Sequence, residues 1–231
     1  MSKESPESSQ RRSFLTRLNT GLVSVAAMAG LARAQQKSAI ATRWEPARHE
    51  KDDWLDQIPG KHRVVFDTTN PEKLVNALAF AGNFFRTNRT EYGLENSDLA
   101  VLLITRHRAT PLAYNDAIWA KYGTTLTSFT KLDDPKTKQP PKLNLYNATA
   151  YGDLIPNRGV TLESLAKLGA QFAVCSVSTR GMAGAIAAAV GADANMIFSE
   201  LTSNLVSNAR MVPAGIVAVN RAQERGYSLV A

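Results

Sequence analysis

Residues 98–105, DLAVLLIT, carry six consecutive apolar side chains from Leu99 to Ile104. Successive side chains of a strand point to opposite faces, so a strand that is apolar at every position must be covered on both. The stretch predicts a central strand of a parallel sheet with helices above and below it. The neighbouring segments fit that frame. Residues 62–67, HRVVFD, read as a first strand. Asn70 can cap the helix that follows, with Pro71 at its first position, and over 72–86 Leu74, Val75, Leu78, Ala79, Phe84 and Phe85 recur at helical spacing. A helix is expected over 114–122, stopped by Gly123, and then a polar, proline-bearing surface insertion over 124–158 whose basic tip, 136–142, is a solvated loop. Thr161 caps a helix through Leu168. A third strand over 171–176, a small-residue helix over 180–190, a helical piece over 194–205 and a fourth strand over 209–212 come next. Pro213-Ala214-Gly215 opens a last helix through Glu224, and 227–230 is a fifth strand. Strands alternating with helices give an α/β three-layer sandwich with a mainly parallel sheet of about five strands.

In such sheets ligands bind beyond the carboxyl ends of the strands. That rim gathers residues 68–70, 105–108, 175–176 and 213–215, and Cys175 is the chain's single cysteine. A thiol at a strand end, a few residues ahead of a helix, feels the helix dipole. Arg180 would add a positive charge, and both effects favour the thiolate. His107, on the same rim, is the candidate to take the proton. Arg106, Arg108, Tyr114, Asn115, Ser176, Pro213 and Gly215 complete a candidate ligand-binding set around these two catalytic candidates. A buried, inert cysteine is the competing reading. The first strand is followed by no GxGxxG, and the chain has no CxxC, HxxxH or GxSxG. Nucleotide, metal and serine-hydrolase chemistry are therefore disfavoured, and no cofactor or metal is expected.

Gln10-Arg11-Arg12-Ser13-Phe14-Leu15 has the form of a twin-arginine export motif. An apolar run over 21–32 and Ala32-Arg33-Ala34, a small-x-small cleavage site, follow it in the right order. Residues 1–34 are expected to be a signal peptide and 35–60 an arm with a helical turn near 52–57, its Trp44 and Trp54 packing onto the domain over 61–231 or onto a neighbouring subunit. The run is too short to span about 30 Å of hydrocarbon, so the expected product is periplasmic, without a stable membrane anchor. The chain has 27 Lys and Arg against 20 Asp and Glu. Loss of the leader would remove five of the bases and two of the acids, leaving a weakly basic surface that lacks the footprint of nucleic-acid binding. A lone thiol in an oxidising compartment has no partner within the chain.

Met211-Val212-Pro213-Ala214-Gly215-Ile216-Val217 and Gln223-Glu224-Arg225-Gly226-Tyr227 resemble the ending of DsrE-family proteins, and Val174-Cys175 is similar to that family's strand end. The stretch from Asp98 to Tyr122, with its R-H-x-x-x-P-x-A-Y-N-D-x-x-W-x-K-Y run, is similar to an export-signal-bearing, uncharacterised subset of the family. The resemblance implies a flavodoxin-like fold, assembly as a homo-oligomer (trimer or hexamer), and a role in binding or carrying a small sulfur species as a persulfide on Cys175, with a redox partner. The export machinery would be a further partner. The alternative is a non-catalytic oligomeric protein that binds a small ligand or a partner and keeps Cys175 as a structural residue.

Overall fold

A computed structural model describes residues 45–231; the export motif, the cleavage site and Trp44 lie outside the described residues. Arg48–Ala231 form one compact unit. Its sheet has five strands, β1 (His62–Thr68), β2 (Leu99–Thr105), β3 (Gln171–Cys175), β4 (Ala209–Val212) and β5 (Ser228–Val230), in the order β4-β3-β2-β1-β5, and all pairs are parallel. This is the α/β flavodoxin-like sandwich expected. β2 lies in the middle with all seven residues buried, which its unbroken apolar run required.

The chain steps in one direction from β1 to β4, then returns past β1 to lay down β5. Right-handed crossovers that step one way must lie on one face, and a return step must lie on the other. The helices obey this rule. On one face α2 (Pro71–Tyr92), α3 (Asp116–Thr130), α4 (Leu162–Lys167), α5 (Ser176–Val190) and α6 (Ala194–Ser203) pack on Val64, Phe66, Val101, Leu103, Phe172 and Val174. On the other, Trp54 and Leu55 of the short α1 (Trp54–Gln57) join Ala218, Val219 and Ala222 of α7 (Gly215–Gln223). Together they cover Val65, Ala100, Leu102, Ile104, Ala173 and Val212. The period-2 split of β1, β2 and β3 residues between two cores is the signature of a sheet buried on both sides. Among the described residues no helix is long and apolar enough to cross a membrane.

Three of the boundaries that differ from the sequence reading lie in α2 and α3. α2 continues to Tyr92 because its polar last turns contain no breaker before Gly93, which caps it in the left-handed conformation (φ 64°). α3 starts at Asp116, two residues later than expected, and runs through Gly123 to Thr130. Gly123 does not stop the helix: a Cβ there would run into the Pro141 carbonyl, so the glycine serves close packing of the following segment. The segment after α3 is also well tied down. Asp134 accepts from the Lys136 and Thr137 amides. Buried Asn144 donates to the Leu112 and Tyr114 carbonyls at 2.7 and 2.9 Å, and the Tyr146 hydroxyl donates to the Pro71 carbonyl at 2.8 Å.

Alanine at a helix interior normally gains about 1 kcal/mol over glycine. Overpacking against a backbone carbonyl costs about 1–3 kcal/mol, and the main chain at Pro141 has little room to retreat. Gly123→Ala should therefore lower the unfolding free energy measured in urea; a stabilised variant would show that the carbonyl gives way.

Candidate functional site

Cys175 ends β3 and is at once the N-cap of α5, which starts at Ser176 with no intervening loop. The sequence reading began this helix at residue 180, because Ser176-Val177-Ser178-Thr179 are poor helix formers. The earlier start changes the chemistry. An N-cap side chain faces the free N–H groups of the second and third helical residues, here Val177 and Ser178. The thiol makes no capping hydrogen bond. The nearby Ser178 hydroxyl and the backbone N–H groups of Gly215, Ser178 and Val177 favour its anion. Burial, which leaves Cys175 only 5% exposed, pushes its pKa up. The four donors outweigh burial, and the thiol ends below its ordinary value.

Gly215 belongs to α7, so the groups that favour the anion come from both layers of the sandwich. Gly215 and Arg106 approach closely. A Cβ on Gly215 would lie 2.6 Å from Cβ and 2.9 Å from Cδ of Arg106, and only a glycine lets the arginine stem pass over the start of α7. Beyond the stem the guanidinium forms a two-pronged ion pair with Asp67 at the end of β1, Nε–Oδ1 2.7 Å and Nη2–Oδ2 2.8 Å. The Asp67 hydrogen bond raises the Arg106 pKa against partial desolvation, and the Cys175 charge adds to the rise. Arg106 is a fixed positive charge within electrostatic range of the sulfur.

The other sequence candidates divide. His107 adopts φ 54° and is exposed. Its backbone N–H donates to Ser178 Oγ at 3.0 Å, while its imidazole makes no hydrogen bond among the described residues. Arg108 turns away from the rim to donate to the Phe129 and Thr130 carbonyls at 3.0 and 3.1 Å, closing the last turn of α3. Tyr114 is fully buried. Its hydroxyl donates to Thr179 Oγ1 (2.9 Å), which donates to the Cys175 carbonyl (3.0 Å), so it braces the cysteine from behind. Burial drives the Tyr114 pKa far above its usual range. Asn115 caps α3 and donates to Asn204. Arg180 lies over the Phe198 ring, 4.1 Å from its centroid, rather than over the thiol. Ser176 and exposed Pro213 flank the two helix starts.

Ser178 and Asp67 were missed. Ser178 could have been found by treating Cys175 as an N-cap and asking what stands at the third helical position. Asp67 carries no local signal, because its partner is 39 residues away. Among the described residues no three His, Cys, Asp or Glu side chains gather closely enough to share a metal ion.

Comparison of the chain with protein-family models, curated proteins and solved structures finds no match, so the site is read from its geometry. One consequence is measurable. A depressed thiol pKa means that the thiolate adds stability as pH rises through the folded-state midpoint. The gain is complete above the ordinary thiol value of about 8.5 and is lost as pH falls. Denaturation of wild type and Cys175→Ser between about pH 6 and pH 9.5 should diverge, wild type gaining with pH. Parallel profiles would mean that the donors do not outweigh burial.

Proposed function

We propose that this chain is a periplasmic sulfur-handling protein that holds a small sulfur species as a persulfide on Cys175. The reading is carried by one observation: the chain's single cysteine ends β3 as the N-cap of α5, and although burial pushes its pKa up, nearby donors hold it below its ordinary value. A structural cysteine needs no such set of donors. In the step proposed, the Cys175 thiolate attacks the outer sulfur of a donor persulfide, R–S–SH. The Cys175 S–S bond forms as the donor's S–S bond breaks, RS⁻ leaves, and the proton stays on the transferred sulfur. No net oxidation occurs, so no separate oxidant is needed. The low exposure of the sulfur suits a small or slender donor. Arg106, held by Asp67, offsets negative charge at the site.

Export by the twin-arginine route is supported by residues 10–15 and 32–34, and homo-oligomeric assembly by the resemblance to DsrE proteins. Exposed Val177, Ile216 and Val217 beside the two helix starts give a second copy or a sulfur-exchanging partner an apolar surface to meet. A second reading, a non-catalytic binding protein with an inert cysteine, is favoured by the 5% exposure of Cys175.

Incubation of the exported protein with a persulfide donor should add one sulfur to the intact mass of wild type and none to Cys175→Ser. Absence of the adduct, or equal addition to both, would overturn the proposal. Alkylation of Cys175 only after denaturation would favour the inert reading.

A further inference from the structure

We propose that two copies of this chain pair through β5 and the flank of α2 beside it, antiparallel about a twofold axis that passes close to Leu229 and Phe80. The proposal deepens, and rests on, the homo-oligomeric part of the reading above; it does not depend on the chemistry of Cys175. It begins with the two edges of the sheet. An edge strand leaves part of its main chain without strand partners, and chains protect such edges with charge, proline or a covering element. β4 carries exposed Arg210, which lies over the Trp54 ring. β5 is Ser228-Leu229-Val230, with no charge and no proline, and all three residues are exposed. Among the described residues it pairs with β1 alone, so its outer side is open to another strand.

The surface beside this edge is apolar at its centre. Ser228 and Val230 lie level with Val64 and Phe66 and share their α2 side of the sheet, while Leu229 lies level with Val65 on the α7 side. Along α2, Lys73, Ala77, Phe80, Phe84 and Glu91 fall on one side of the helix. Phe80 is 51% exposed. With Lys73, Ala77 and Val230 it lines a cleft of about 110 Å³ between the helix and the edge strand, and Asp67, which holds Arg106, lines the same cleft.

A second copy is the occupant that these features fit, because a twofold interface must be complementary to itself. The register that pairs all three β5 residues centres on Leu229 and sets Ser228 opposite the partner's Val230. Val65, level with Leu229, lies about 10 Å below the strand end at Thr68. Phe80 lies about 14 Å along α2 from Pro71, so an axis through Leu229 also passes near Phe80. The β1 strands of the two copies then stand about 14 Å apart. Helices in direct contact lie about 8–10 Å apart, and the Phe80 side chains fill the difference. The charges agree with this alignment. Lys73 and Glu91 lie nine residues either side of Gly82, and neither is in an ion pair among the described residues. A lysine at the start of a helix and a glutamate at its end both oppose the helix dipole. Beside an antiparallel partner, each meets the opposite pole and the opposite charge.

Sedimentation velocity of the exported protein over a concentration series tests this surface. Wild type should form a dimer or an even-numbered assembly built on it. Phe80→Asp and Leu229→Lys change exposed positions, and the lysine sets like charges directly opposite each other. Each should weaken the dimer Kd by about 30-fold or more; should one variant fail to fold, the other decides. Lys73→Glu should weaken it by about threefold to tenfold, and Lys73→Glu combined with Glu91→Lys should restore it. A wild type that is monomeric at about 100 µM overturns both the proposal and homo-oligomeric assembly. An odd-numbered assembly, or one that either folded variant leaves unchanged, overturns this surface while homo-oligomeric assembly stands. Failure of the double charge reversal to restore association overturns the antiparallel alignment of α2.

Discussion

Parallel strands deliver all their carboxyl ends to one rim, and a helix that starts directly after a strand brings its unpaired amides to that rim. In this chain the constraint acts twice on one atom. α5 starts directly after β3, so its first amides turn back on the residue that ends the strand. α7 starts two residues after β4, the neighbour of β3, with Cys175 opposite Val212 in the register. Handedness puts the two helices on opposite faces, and their starts meet at the edge between the layers, where Cys175 stands.

The second layer is thin, and how it is held matters to the site because Gly215 belongs to it. α7 shares the face with the arm that precedes β1. The Arg225 side chain, 1% exposed, joins this helix's end to Asp56 at 3.1 Å and Asp53 at 3.7 Å. The Tyr227 hydroxyl donates to the Leu55 carbonyl at 3.1 Å. Arg63 donates to the carbonyls of Leu55, Ile58 and Gly60 and lies over the Tyr227 ring, and Arg210 lies over Trp54. Exposed ion pairs such as Arg48–Asp56 contribute little. The buried arginine and the aromatic packing do more, since loss of the half-exposed carboxylates would leave the buried Arg225 charge uncompensated.

Much of the fold was legible because it follows from burial. Six apolar residues in a row at 99–104 force a two-sided strand, and the alternation of strands with helices then gives the parallel sheet and its rim. The site was legible to the extent that it is local. Cys175 and the loop after β2 could be placed on one rim from the strand ends alone. The helix start at Ser176 could not, because Ser, Val, Ser and Thr argue against a helix whose first turn is stabilised by its tertiary setting. Nor could Gly123 be told from a helix stop, since the carbonyl it makes room for is 18 residues further on. Arg108 looked like a rim ligand by position and proves to be a clasp on α3. His107 looked like a base by residue type, yet the contact that ties it to the site is made by its peptide group, which residue type does not encode.

The Gly215 amide has a further consequence because it reaches the sulfur from a different layer than the cysteine does. Coupling between two equilibria is reciprocal. If ionising the sulfur draws the start of α7 inward, then seating α7 more firmly on the sheet must, by the same amount of free energy, make the sulfur easier to ionise. Ile216 and Val217 lie on the same first turn with their side chains in solvent, so a molecule that seated α7 more firmly through them would, by that reciprocity, favour the charged sulfur.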